Sequence, residues 1–105
     1  MAANLTVAAN KRVRGEILAL LYSVQPVPVE IRTITNSLLE SNMVSVPSIA
    51  QHIDYLSGKK YIQVIGEEAA EQILHGAVPP SAFVKLTPTG VDLVEGTIED
   101  QGVDV

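Results

Sequence analysis

The order of helical and extended segments predicts an α+β fold, mainly α: a three-helix core, a two-stranded antiparallel hairpin and a C-terminal helix. Three observations carry this. Apolar residues recur at helical spacing in three successive segments. The pattern then switches to short β-branched and aromatic runs at Tyr61–Ile65 and Ala82–Thr87. Finally, 105 residues that are 47% apolar and contain no cysteine make one domain, able to bury a core without disulfides or a thiolate-bound metal.

Residues 1–9 are small and uncharged and are expected to form an N-terminal arm that frays or pairs as an edge. Asn10 is a good N-cap. Val13, Ile17, Leu20, Leu21 and Val24 then predict a helix over 11–24, slightly weakened by Gly15 and ended by Gln25-Pro26-Val27-Pro28. Ile31, Ile34, Leu38 and Leu39 form the stripe of a second helix from Pro28 or Val29 to Leu39, broken at Ser41-Asn42. A third helix follows Val44-Ser45-Val46, with Pro47 in its first turn, apolar positions at Val46, Ile49, Ile53 and Leu56, and Gly58 as its stop. So short a connection between helices two and three is that of a helix-turn-helix.

The two strands are expected to pair antiparallel. Their connection, about fifteen residues, is long for a hairpin. Within it Glu67–His75 is rich in helix formers and stops at Gly76, which predicts a short helix or an ordered loop. Thr87 caps a last helix with Pro88 at its first position, Val91, Leu93, Val94 and Ile98 as candidates for its apolar side, and Gly96 as a candidate end. The domain proper therefore spans 10–97, and residues 98–105 are expected to be an acidic flexible tail.

Seven basic and twelve acidic residues give a net charge of −5, which argues against indiscriminate nucleic-acid binding. The charge is uneven: residues 1–60 sum to +2 and residues 61–105 to −7. A local basic face is compatible with that balance. No apolar run approaches the ~18 residues of a membrane span. The basic cluster Lys11, Arg12, Arg14 ahead of Ile17–Leu21 imitates a signal peptide, but Glu16 interrupts it and no small-residue cleavage site follows. No membrane association and a cytoplasmic location are the expectations. His52 and His75 are far apart, and no nucleophile–base set, phosphate loop or metal-ligand spacing occurs, so neither an enzyme nor a bound cofactor or metal is expected.

The segment Ile49-Ala50-Gln51-His52-Ile53-Asp54-Tyr55-Leu56-Ser57-Gly58-Lys59-Lys60-Tyr61-Ile62 resembles a recognition helix running into the wing of winged helix-turn-helix regulators such as the PadR- and MarR-like groups. Leu86-Thr87-Pro88-Thr89-Gly90 is similar to their Leu-Thr-x-x-Gly start of the helix after the wing. The resemblance covers residues 10–97 and implies a winged-helix fold. Short proteins of this kind are common in bacteria and phages. The chain departs from the pattern at Lys60, where glycine is usual, and in a longer wing bearing Glu67, Glu68 and Glu71. Either such a wing points away from phosphate, or DNA is not the ligand.

At about 100° per residue, Ser48, Gln51 and Tyr55 fall opposite the apolar side of helix three, with His52 on the flank. Their groups can bond to bases or phosphates, glutamine being a good bidentate reader of adenine. Lys59 and Lys60 at the helix exit suit phosphate, or simply complement the helix dipole. Arg32 on helix two reaches phosphate or pairs with Glu30 or Glu40. The basic start at Lys11, Arg12 and Arg14 is a further phosphate candidate, although cations at a helix N-terminus are unfavourable. The expected function is that of a DNA-binding regulator or accessory factor, acting on double-stranded DNA as a homodimer. The alternative is a winged-helix protein–protein module, favoured by the acidic second half.

Overall fold

The computed structural model describes residues 2–40, 49–76, 79 and 81–105. The order is α1 (Ala2–Val24), β1 (Val29–Glu30), α2 (Ile31–Glu40), α3 (Ile49–Gly58), β2 (Ile62–Ile65), α4 (Glu67–Leu74), β3 (Phe83–Leu86) and α5 (Pro88–Val94). The fold is α+β and mainly helical, with an antiparallel sheet in the order β1-β3-β2.

Helix α1 starts at Ala2, not after Asn10. The expected arm is helical because its residues are mostly alanine and leucine with no breaker, so the helix propagates back through them. This moves Lys11, Arg12 and Arg14 to mid-helix, where the dipole objection no longer applies. Val13, Ile17, Leu18 and Leu21 are buried, while Leu20 is half-buried and Val24 exposed.

The sheet has three strands where the sequence predicts two. Val29 and Glu30 pair with Val84 and Phe83. Two residues are too few for alternation to be read. The strand leads straight into α2, and the N–H of Ile31 donates to the Ala82 carbonyl at 2.8 Å, satisfying one of the donors a helix start leaves open. Ile31, Ile34 and Leu38 are buried on α2 and Leu39 is exposed. The break at Ser41-Asn42 and the start of the third helix at Pro47 lie outside the described residues.

Helix α3 buries Ile49, Ile53 and Leu56. Its left-handed terminal residue is Lys60 (φ 66°) rather than Gly58. The N–H groups of Tyr61 and Lys60 donate to the carbonyls of Leu56 and Ser57, both at 3.0 Å, which closes the last turn and turns the chain into β2. Strands β2 and β3 pair as Ile62↔Leu86 through Ile65↔Phe83. Paired residues share a face. Ile62 and Val84 face the core, and Gln63, Lys85, Ile65 and Phe83 face outward.

The connection contains a short helix, α4, the first of the two forms its sequence allows, ended by Gly76 at φ 82°. Thr87 caps α5 by accepting from the Gly90 N–H at 3.1 Å, and its hydroxyl also donates to the Lys60 carbonyl. A Cβ at Gly90 would overlap the Tyr61 carbonyl oxygen, so only glycine allows α5 this close to the α3–β2 junction.

The expected flexible tail is instead packed. Val103 is 5% exposed within the core cluster. Burying that side chain contributes roughly 1.5–3 kcal/mol towards holding the segment. The N–H of Asp104 donates to the Lys11 carbonyl at 3.0 Å, so residues 98–105 fold back against α1.

Candidate nucleic-acid interface

Helix α3 is held on one side by its buried isoleucines and leucine, and it turns Gln51 and Asp54 to solvent. These two are three residues apart and so lie on one face. Gln51 is exposed there. Asp54 beside it adds a negative charge, and a carboxylate faces DNA favourably only where it accepts from a cytosine amine. Ser48 lies outside the described residues.

His52 is not on that face. Its ring is 2% exposed, and its Nδ1 has no hydrogen-bond partner. The helical wheel places it on a flank, and packing closes that flank. Burial, and secondarily the Arg14 guanidinium, push the imidazole below its ordinary pKa, so the ring is neutral at pH 7. A buried neutral ring cannot read a base edge.

Tyr55 and Lys59 are also engaged. The Arg14 guanidinium lies 3.7 Å from the centroid of the Tyr55 ring, a cation–π stack. Arg14 Nη1 donates to the Gly102 carbonyl at 3.1 Å. Lys59 Nζ is 3.3 Å from Asp100 Oδ2 and 5.7 Å from the Tyr55 ring. Asp100 further accepts from the Tyr61 hydroxyl at 2.6 Å and, at its other oxygen, from the Gly102 N–H at 2.7 Å. The Tyr61 hydroxyl, then the Gly102 N–H and Lys59, hold the Asp100 carboxyl below its ordinary pKa against the opposing effect of burial. Burial and the same carboxylate push the Tyr61 phenol up to about 12.

Lys60 and Arg32 are exposed, and among the described residues neither is in an ion pair. The Asp100–Lys59 cluster is absent from the sequence-based candidates. Two signals for it were present: Asp100-Gln101-Gly102 is the composition of an Asx turn, and Gly15 inside a strong helical pattern marks a close backbone approach.

The outward pair Ile65 and Phe83 is 42% and 44% exposed. It borders a groove of about 390 Å³ whose other walls include Glu68, Ala69 and Gln72 of α4. Among the described residues no group of three or more acidic or histidine side chains is placed to hold a metal ion, and no helix is long and apolar enough to cross a membrane. Compared with known proteins, the chain matches no family model, no curated protein and no solved structure.

Proposed function

We propose that the chain is a winged-helix DNA-binding protein, a transcriptional regulator or accessory DNA-binding factor. The observation that carries the reading is the path from α3 to α5: a helix with Gln51 on its open face turns at Lys60 into a hairpin, and the hairpin returns through the Thr87 cap to a closing helix. In this reading α3 lies in the major groove with Gln51 at the base edges. Lys60 and Arg32 hold phosphates. His52 leaves the set of direct contacts, and Tyr55 and Lys59 are engaged within the chain by Arg14 and Asp100 while the C-terminal segment is packed. So few free cations bind weakly, so the reading includes a homodimer spanning two half-sites.

The test replaces Lys60 and Arg32 by glutamate, singly and together. Each loss should weaken duplex binding uniformly across sequences and flatten the salt dependence by about one phosphate contact. Unchanged affinity and slope in the double variant would remove these residues from the interface.

One observation favours a second reading, a protein–protein module. Ile65 and Phe83 are an apolar cross-strand pair facing solvent beside acidic α4, where a wing tip touching phosphate is normally basic. Under that reading the glutamate variants leave partner binding intact, and Phe83→Ala disrupts it.

A further inference from the structure

The C-terminal segment lies against basic residues of two helices, through the Lys11 carbonyl, the Arg14 guanidinium and the Lys59 ammonium. Lys11, Arg12 and Arg14 lie mid-way along α1, and Lys59 stands at the end of α3. Across them runs a segment with Glu99, Asp100 and Asp104. We propose that residues 99–104 are an internal competitor for DNA: Arg14, Tyr55 and Lys59 form a second backbone-binding site, and the acidic segment occupies it in place of phosphate. This inference rests on the DNA-binding reading above and adds its regulation.

The contacts support it in kind. Asp100 is held by an ammonium, a hydroxyl and a backbone N–H, the same donor types that hold phosphate oxygens in protein–DNA interfaces. Arg14 is only partly used. Its Nη1 meets a lone carbonyl, and its buried Nε has no partner. A guanidinium beside an oxyanion commonly makes two parallel bonds, so the present arrangement leaves it capacity that a phosphate would fill. The stack on Tyr55 keeps its plane fixed for that purpose.

The hold is also limited in extent. Val103 is the buried apolar side chain of the segment, and Lys59 keeps 47% of its side chain exposed while paired. Release of the segment would uncover Arg14, Tyr55 and Lys59 together and take the Asp100 carboxylate away from Lys59. Affinity at the covered site is then its intrinsic affinity multiplied by the fraction of molecules in which the segment is open.

The experiment uses the full chain and a fluorescently labelled mixed-sequence DNA duplex. Asp100→Asn and Val103→Ala, singly and combined, loosen the segment without touching Gln51, Arg32 or Lys60. Circular dichroism checks that the helices persist. Should the combined variant unfold, Asp100→Asn, which keeps Val103 buried, carries the test alone. The expected result is tighter binding, about tenfold in the combined variant from the larger open fraction, with a steeper salt dependence from the cations uncovered. Equal affinity and slope for wild type and variants would overturn the competitor role while leaving the DNA reading in place. No binding by any of them at low salt would overturn both.

Discussion

Gly15 and Asp104 meet backbone to backbone across 89 positions of sequence. A Cβ on Gly15 would overlap the Asp104 carbonyl oxygen. The contact joins the middle of the longest helix to the end of the chain, and it turns what reads as a tail into part of the fold. Around it Arg14 reaches Gly102, and the Asp104 N–H reaches Lys11.

Gly15→Ala therefore separates two outcomes by sign. In an exposed helix the change stabilises by about 1 kcal/mol. Here the added methyl displaces the segment, and overpacking costs about 1–3 kcal/mol, so the net expectation is a loss of up to about 2 kcal/mol in urea unfolding. A gain would show that residues 102–105 do not pack on α1.

Lys60→Gly should act in the opposite direction. A left-handed conformation costs an L-residue roughly 1–2 kcal/mol, and glycine's greater freedom in the unfolded chain offsets about 0.5–1 kcal/mol of that. Thermal and urea unfolding should show a gain of up to about 1.5 kcal/mol. DNA binding should weaken at the same time, because a proposed phosphate contact is lost. A destabilised variant would mean that the Lys60 side chain contributes packing absent from its exposed placement.

His52 makes the fold sensitive to mild acid. Its folded pKa lies below 6.5, so the unfolded chain binds the extra proton first. The contribution of the neutral ring is complete above 6.5 and is lost as pH falls from there through the lowered folded value. Urea midpoints measured across that window should decline for wild type and stay flatter for His52→Leu. Equal slopes would place the acid sensitivity elsewhere.

Tyr61→Phe removes one of the hydrogen bonds at Asp100, at a cost of about 0.5–1.5 kcal/mol. Asp100 should then titrate closer to its ordinary range, visible as a shift in its carboxyl resonance. Because its folded pKa is depressed, Asp100 stabilises the fold above 3.8 and ceases to as pH falls through the folded value. Tyr61 has the reverse sign. Its contribution is full below pH 10 and is lost as pH rises through about 12. In a spectrophotometric titration of the tyrosines, the phenylalanine variant should lack a component near 12.

Most of the fold was legible in the sequence. Ile17, Ile34, Ile53 and Leu56 repeat at helical spacing, and burial then follows from the period. Thr87-Pro88 announced α5, and Gly76 the end of α4. What escaped depends on tertiary packing. Strand β1 exists because β3 offers Val29 and Glu30 a partner, and two residues have no period of their own. Lys60 adopts the left-handed turn because the following strand must pair, where local preference points to Gly58. The candidate site was less legible than the fold. A helical wheel places Gln51 outside correctly, but it cannot know that packing buries His52 or that Arg14 and the Gly102 backbone close over Tyr55.

The central claim is that this chain binds duplex DNA, and fluorescence anisotropy with a mixed-sequence duplex tests it at low and near-physiological salt. The account predicts a rise in anisotropy at low salt that falls steeply with added salt, with a log–log slope of about −0.9 for each phosphate contacted. No rise even at low salt would contradict it, and the exposed Ile65–Phe83 face would then become the surface to pursue with a protein partner.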